Sequence, residues 1–166
     1  MERELLRRRA ARVLVLDPAG RLLLLRGGDP AVPGPRFWWT VGGGLEPGES
    51  ARAGAVRELH EETGIEVPEG ALVGPLHQDV SSFAFDRWLV EQENEFFAVR
   101  VQGWTMAPAA LEAIETASID GAGWWSVEQL RAHVDGRPHD GPGLADEPVY
   151  PPDLPDVLAV ALAATG

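Results

Sequence analysis

A chain of 166 residues, 45% hydrophobic and 24% charged, is long enough for one domain with a substantial core and short for two. Its 26 acidic against 14 basic residues leave a net charge of −12, which argues against the basic face used in nonspecific nucleic-acid or membrane binding. The absence of cysteine excludes a disulfide framework, a thiolate metal site and a cysteine nucleophile.

The first residues, MERELLRRRAARVLVLD, join an arginine cluster to a short apolar run without a small-residue cleavage site, a poor match to a signal peptide. No apolar run approaches the roughly 20 residues of a membrane helix. A soluble, cytoplasmic protein is expected. RVLVL, DPAG and RLLLLRG read as strand, turn and strand, with the arginines up to Arg9 as a solvated lead-in. GGDPAVPGP is loop, and RFWWTV is a short aromatic strand that gives way to a glycine-rich loop, VGGGLEPGE. A helix follows from about Ser50 to Thr63, with Gly64 as a left-handed cap.

Beyond it, IEVPEGALVGPLHQDVSS reads as short strand pieces and turns. FAFDRWLVEQENEFFAVRVQ reads as two strands with EQEN as the bend between them. APAALEAIETAS holds a helical turn, and GAGWWSVEQLRAHV is a strand ending in a helix whose start is fixed by a Ser126–Gln129 capping box. The proline- and glycine-rich stretch 136–155 is loop, and LPDVLAVALAA closes the chain as a helix. Neither an internal repeat nor a linker divides the chain, so residues 1–166 read as a single α/β or α+β domain with a mixed sheet.

The Ser50–Thr63 helix carries the chemistry. Glu58 and Glu62 lie nearly on one line, Glu61 beside them, and Ala55, Val56 and Leu59 form the adjoining apolar stripe. Acid at a helix C-terminus opposes the macrodipole by roughly 0.3–1 kcal/mol per residue, and a like-charged i,i+4 pair adds a few tenths. Residues 45–69 hold seven acidic and two basic side chains, so little offsets that cost locally. A divalent cation reverses the sign of the sum. Clustered hard oxygens suit Mg²⁺ or Mn²⁺ rather than zinc. A solvated acidic face is the bland alternative, and the glycines ahead of the helix weigh against it, since bare backbone can approach a bound ion or phosphate.

Gly43, five residues, Glu49, seven residues, then Arg57-Glu58-Leu59-His60-Glu61-Glu62-Thr63-Gly64-Ile65 resembles a complete Nudix box, G-x5-E-x7-R-E-U-x-E-E-x-G-U, with all nine specified positions filled across 23 residues. The resemblance extends more loosely to VLVLDPAGRLLLLR, to WW-T-V-GGG and to WWSVEQL. It implies an α/β/α sandwich and Mg²⁺-dependent hydrolysis of a nucleoside diphosphate derivative, with Mn²⁺ as a substitute metal. It also implies roles for residues. Glu58 and Glu62 resemble the principal metal ligands, with the Gly42 carbonyl beside them. Glu61 resembles a further ligand or the base that activates water. Arg57 and Glu49 resemble the pair that holds loop and helix in register. A further carboxylate often joins from a later loop, for which Glu115 is the first candidate, Glu112 the second, and Glu93 or Glu95 follow. Val41 stands where members often have proline, which would stiffen the strand-to-loop corner; its absence is expected to leave the chemistry untouched.

Trp38 or Trp39, next to Gly43 and Gly44, is the best candidate to contact a nucleobase or sugar. Six tryptophans are nevertheless more often core than stacking platforms. His77, His133 and His139 lack a second ligand at metal spacing in the sequence and read as surface or loop residues. The partner expected is a nucleotide-type small molecule, a nucleoside triphosphate, nucleotide sugar or dinucleotide. Family members often pair into homodimers, which exposed aromatics would permit. A nucleotide-binding or regulatory module without turnover is the alternative, although such modules tend to have lost carboxylates that here all survive. Family markers for ADP-ribose and dinucleoside polyphosphate substrates are missing, Pro75 coming too early and Tyr150, the single tyrosine, too late.

Overall fold

A computed structural model describes residues 2–29, 31–104 and 119–166. The elements are β1 (Glu4–Leu16), β2 (Leu22–Gly27), β3 (Phe37–Gly44), α1 (Ala51–Thr63), a 3-10 turn at Glu69–Ala71, β4 (Val73–Phe85), β5 (Trp88–Arg100), β6 (Ile119–Trp125), α2 (Val127–Val134), β7 (Val149–Tyr150) and α3 (Leu154–Thr165). The strands form one seven-stranded sheet in the order β4-β5-β1-β2-β3-β7, with β6 on β2 and β1 also reaching β3. Two pairings, β1 with β5 and β3 with β7, are parallel, and the rest are antiparallel.

Period-two alternation in β1 builds the layers. Ala11, Val13 and Val15 face α1 and pack with its Ala51, Ala55 and Leu59. Leu14 and Leu16 face the other way, onto Leu130 of α2 and Leu154, Val157, Leu158 and Ala161 of α3. In β2, Leu22 to Leu25 are all buried, the mark of a strand covered on both faces. The result is the expected mixed sheet between helical layers. No helix of the described residues is long and apolar enough to cross a membrane.

Helix ends follow their sequence signals. Ser50 Oγ accepts from the Ala53 N–H at 3.1 Å, and Gly64 closes α1 at φ 78°. Ser126 and Gln129 cap α2 reciprocally, at 3.1 and 2.8 Å.

Five expectations need correction. The 136–155 stretch is not loop throughout, because Val149 and Tyr150 pair with β3 as β7 and α3 begins at Leu154. The arginine lead-in is strand: Arg7, Arg8 and Arg9 pair with Glu91, Gln92 and Glu93 of β5. The pieces expected after residue 65 merge into the single long strand β4, paired along most of its length with β5. EQEN is no bend. Gln92 and Asn94 are buried and find polar partners, while Glu91 and Glu93 point to solvent, so a turn-like composition conceals strict alternation. The chain reverses instead after Phe85, with Asp86 at φ 53°. The glycines after Val41 also belong to a strand, because Gly42, Gly43 and Gly44 pair with Arg12, Ala11 and Ala10 of β1. Glycine is tolerated there because β1 comes too near for anything larger. A Cβ on Gly42 would sit 2.1 Å from the Ala11 carbonyl oxygen.

The 136–155 segment packs on Trp125 through a chain of imidazoles. The Gly141 N–H donates to His139 Nδ1 at 3.0 Å, His139 Nε2 donates to His133 Nδ1 at 2.8 Å, and His133 Nε2 donates to the Glu147 carbonyl. A proton added at His139 Nδ1 would face the Gly141 N–H, which holds this ring neutral. Burial, followed by the neighbouring His133, holds His139 below its ordinary value of 6.5. The unfolded chain thus takes up this proton at a higher pH than the folded one, and the folded state loses stability as pH falls below about 6.5. Thermal melts between pH 7.5 and 5 should show a steeper loss for the wild type than for His139→Gln; parallel curves would refute the assignment.

Candidate active site

Helix α1 presents its glutamates to the end of β3. Glu62 Oε1 accepts from the Gly42 N–H at 2.7 Å. The Glu58 carboxylate lies so close to β3 that a Cβ on Gly43 would come within 2.7 Å of its Oε1. Only a bare backbone lets both acids rest there. Arg57 organises the rest. It grips both oxygens of Glu49 at 2.8 Å, donates to the Gly44 carbonyl at 3.0 Å, and reaches Glu58 and Glu61 at 3.1 Å each. Glu49 also accepts from the Glu46 N–H at 3.0 Å. One guanidinium thus joins the loop, the strand end and the helix, and it holds the Glu49 carboxyl down at about 2.

The acids differ in environment. Burial, reinforced by Glu58 and Glu61, pushes the Glu62 carboxyl up to about 8 against the opposing Gly42 hydrogen bond. Burial also raises Glu58, against the pull of Arg57. Glu61 is 55% exposed and faces solvent. Beneath them lies a cation that sequence reading passed over: Arg12 donates to the carbonyls of Thr40 and Gly42 at 3.2 and 3.0 Å. Burial lowers its pKa and Glu62 raises it. The available signal was a lone arginine in the aliphatic run RVLVL.

Carboxylate oxygens from Glu58, Glu61 and Glu62, together with the Gly42 carbonyl, make a hard donor set that fits a divalent cation such as Mg²⁺. The glycine cradle fits as well, because it brings those oxygens to the backbone. Arg57 and the Gly42 N–H keep the three carboxylates spread. Among the described residues, the cluster whose ligand atoms lie within 4.8 Å of one another is a different one, His77, Asp79 and Asp153.

Other candidates fall in several places. Trp38 is corrected to a core residue. It is 3% exposed, packs edge-on to Trp125 at 5.3 Å, and donates its indole N–H to Glu147 at 3.1 Å. Trp39 lies on the α1 face with Phe37 at 5.0 Å, and Phe37 in turn meets Tyr150 at 5.6 Å. Gly44 lies against the Arg8 side chain and offers its carbonyl to Arg57. Glu95 shares a cross-strand row with Ala11 and Gly43, two strand spacings or roughly 10 Å from the latter. Glu93 is exposed, one residue pair further along the strand on that face. Glu112 and Glu115 lie outside the described residues. Glu147, buried at 4% exposure, was not foreseen; it is clamped by Arg26, by Trp38 and by the Leu144 N–H.

Fold and site together define a domain in which one helix offers acidic oxygens to a glycine-lined strand end through a single arginine. The family model described as the NUDIX domain matches residues 6–146, and the chain belongs to that family. Among curated proteins it is similar to a putative 8-oxo-dGTP diphosphatase of Bacillus subtilis (strain 168), 39% identical over 77 residues that cover 44% of this chain and 48% of the relative. It is also similar to the RNA pyrophosphohydrolase of Dinoroseobacter shibae, 42% identical over 60 residues, 36% of either chain. The chain thus matches about half or less of these relatives' lengths. Among solved structures, the MutT protein from Methanosarcina mazei Go1 superposes with a TM-score of 0.55 at 20% identity, covering 99% of this chain and 98% of that one. The C. elegans Ap4A hydrolase complex gives 0.55 at 17% identity, covering 94% and 96%. These two likenesses concern the fold.

Proposed function

We propose that residues 1–166 form a single-domain, cytoplasmic, divalent-metal-dependent hydrolase that cleaves the diphosphate linkage of a nucleoside diphosphate derivative. The observation that carries this reading is the seating of Glu58 and Glu62 against the bare backbone of Gly42 and Gly43, with Arg57 fixing both loop and helix. The relatives' names share one chemistry, a phosphoric anhydride in 8-oxo-dGTP, in an RNA pyrophosphohydrolase's substrate and in Ap4A. That supports the bond attacked and leaves the substrate class open.

Mg²⁺ held by Glu58, Glu62 and the Gly42 carbonyl would screen a diphosphate from a protein of net charge −12 and lower the pKa of a bound water. Glu61, exposed and oriented by Arg57, would act as the base toward an attacking water. Arg57 and Glu49 keep the strand end and helix in fixed relation, so that orientation rather than a covalent intermediate lowers the barrier. Trp39 stands four residues along β3 from Gly43, roughly 13 Å at the strand rise, and with Phe37 and Tyr150 offers a base or sugar an aromatic surface. Survival of every box carboxylate favours turnover over a regulatory module.

Release of phosphate or nucleoside monophosphate should be measured from nucleoside triphosphates, nucleotide sugars and dinucleotides, with and without Mg²⁺. Mg²⁺-dependent release from one class is expected. Silence across the panel, with Mg²⁺ binding intact, would replace the hydrolase with a binding module.

A further inference from the structure

We propose that His77, Asp79 and Asp153 form a second divalent-cation site, of transition-metal type and best suited to Zn²⁺, which ties the start of α3 to the edge strand β4. His77 and Asp79 share a face of β4, two residues apart, and Asp153 arrives from far along the chain. Each carboxylate offers an oxygen 3.7 Å from His77 Nε2. That spacing decides between two readings. A protonated imidazole bonded directly to a carboxylate would stand at roughly 2.8 Å. Two ligands sharing a tetrahedral ion at bond lengths near 2.0–2.1 Å stand roughly 3.4 Å apart, a few tenths from what is found.

Three further features agree. His77 Nε2 is enclosed by protein and has no hydrogen-bond partner, an unusual state for a buried ring nitrogen. Asp153 occupies the N-cap of α3 yet gives its side chain to no backbone N–H, the customary use of aspartate at that position. Its carboxylate turns to His77 instead. Asp79 accepts from Asn94 Nδ2 through Oδ1 at 2.8 Å, which leaves Oδ2 directed at the ring. Asn94 is itself fixed by Gln92 and Ser81, so the ligand is oriented from behind, as metal ligands commonly are.

Imidazole with two carboxylates favours zinc over Mg²⁺, and three protein ligands leave a position for water. The cluster is separate from the glutamate helix. His77, Phe96, Arg12 and Gly42 lie in one cross-strand row, so His77 and Gly42 are three strand spacings apart, roughly 14 Å, with Arg12 between them. Bound zinc would bridge the last helix to a strand that pairs with β5 alone.

The test is calorimetric titration of the full chain with ZnCl₂ in excess MgCl₂, alongside histidine ring ¹H–¹⁵N spectra. One zinc per chain is expected, weakened at least tenfold in His77→Gln and in Asp153→Asn and unchanged in the Glu58→Gln/Glu62→Gln double variant. The His77 ring signals should move while those of His133 and His139 stay. Asp153 is 54% exposed, so its variant remains informative if His77→Gln fails the circular-dichroism check for folding. The proposal falls if wild type takes up no zinc, if uptake survives Asp153→Asn undiminished, or if His133 and His139 respond in place of His77.

Discussion

Glu62→Gln is expected to lower kcat by on the order of 10²–10⁴ while leaving the metal-free protein at least as stable as wild type. Glutamine keeps the shape of the side chain and an oxygen for the Gly42 N–H, so the contact between α1 and β3 survives. What disappears is a charge in a site that resists it. The folded carboxyl, pushed up to about 8, lies above its unfolded value of 4.5, so the folded state binds more protons between those values. Metal-free wild type therefore loses stability as pH rises from 4.5 through about 8, and the glutamine variant lacks this contribution. Mg²⁺ should reverse the ranking. At 100 times its dissociation constant a ligand stabilises the folded state by about 2.7 kcal/mol, and the variant, short of one ligand, should gain far less. Melts at pH 8 with and without Mg²⁺, run beside an activity assay, check both halves. Near-wild-type turnover would remove Glu62 from the site.

Gly42→Ala should unfold or nearly unfold the protein, whereas Gly43→Ala should spare the fold and disable the site. A Cβ on Gly42 meets the β1 backbone, 2.1 Å from the Ala11 carbonyl oxygen and 2.9 Å from Arg12 Cα, at a φ of 138° that only glycine adopts comfortably. Overpacking and backbone strain together cost on the order of 2–6 kcal/mol, a large share of a domain's stability. The Cβ on Gly43 meets only the tip of the Glu58 side chain, which can swing away at small cost. It then leaves its place beside Glu62. Denaturant melts should separate the two variants by several kcal/mol, and Gly43→Ala should melt near wild type with little activity. Equal stabilities would mean that β1 and β3 have room to part.

The contrast shows what was legible in the sequence. Helix geometry, a local rule, put Glu58 and Glu62 on one line, and the resemblance to the Nudix box implied that Arg57 pairs with Glu49; in the structure Glu62 lies on Gly42 and Arg57 on Glu49. The same local logic misread GGG as loop, since what keeps it in register is β1, thirty residues earlier. It misread EQEN for the same reason. Gln92 and Asn94 look like turn residues until Arg8, Asp79 and Ser81 arrive from two other strands to satisfy them. His77 was dismissed for want of a second ligand; its neighbours come from two residues away on a strand and from the cap of the last helix. Trp38 and Trp39 are adjacent and chemically alike, and only knowledge of which sheet face carries which helix separates the fully buried ring from the half-buried one.

Strand β1 imposes an order on assembly. Along its full length, from Glu4 to Leu16, it is paired in parallel with residues 88–100, more than eighty positions later. A nascent chain ending short of Trp88 would already contain the whole acidic helix and the glycine strand. It would lack the partner that holds Arg8 and Arg12 on their side of the sheet. A one-residue slip in that pairing would move Arg12 onto the face of Ala11 and Val13, burying its charge against α1. Contacts of such sequence separation form slowly, because the loop between them must close first. The proposed acidic site, encoded within 23 consecutive residues, therefore gains its supporting strand only once the chain has been made as far as Arg100.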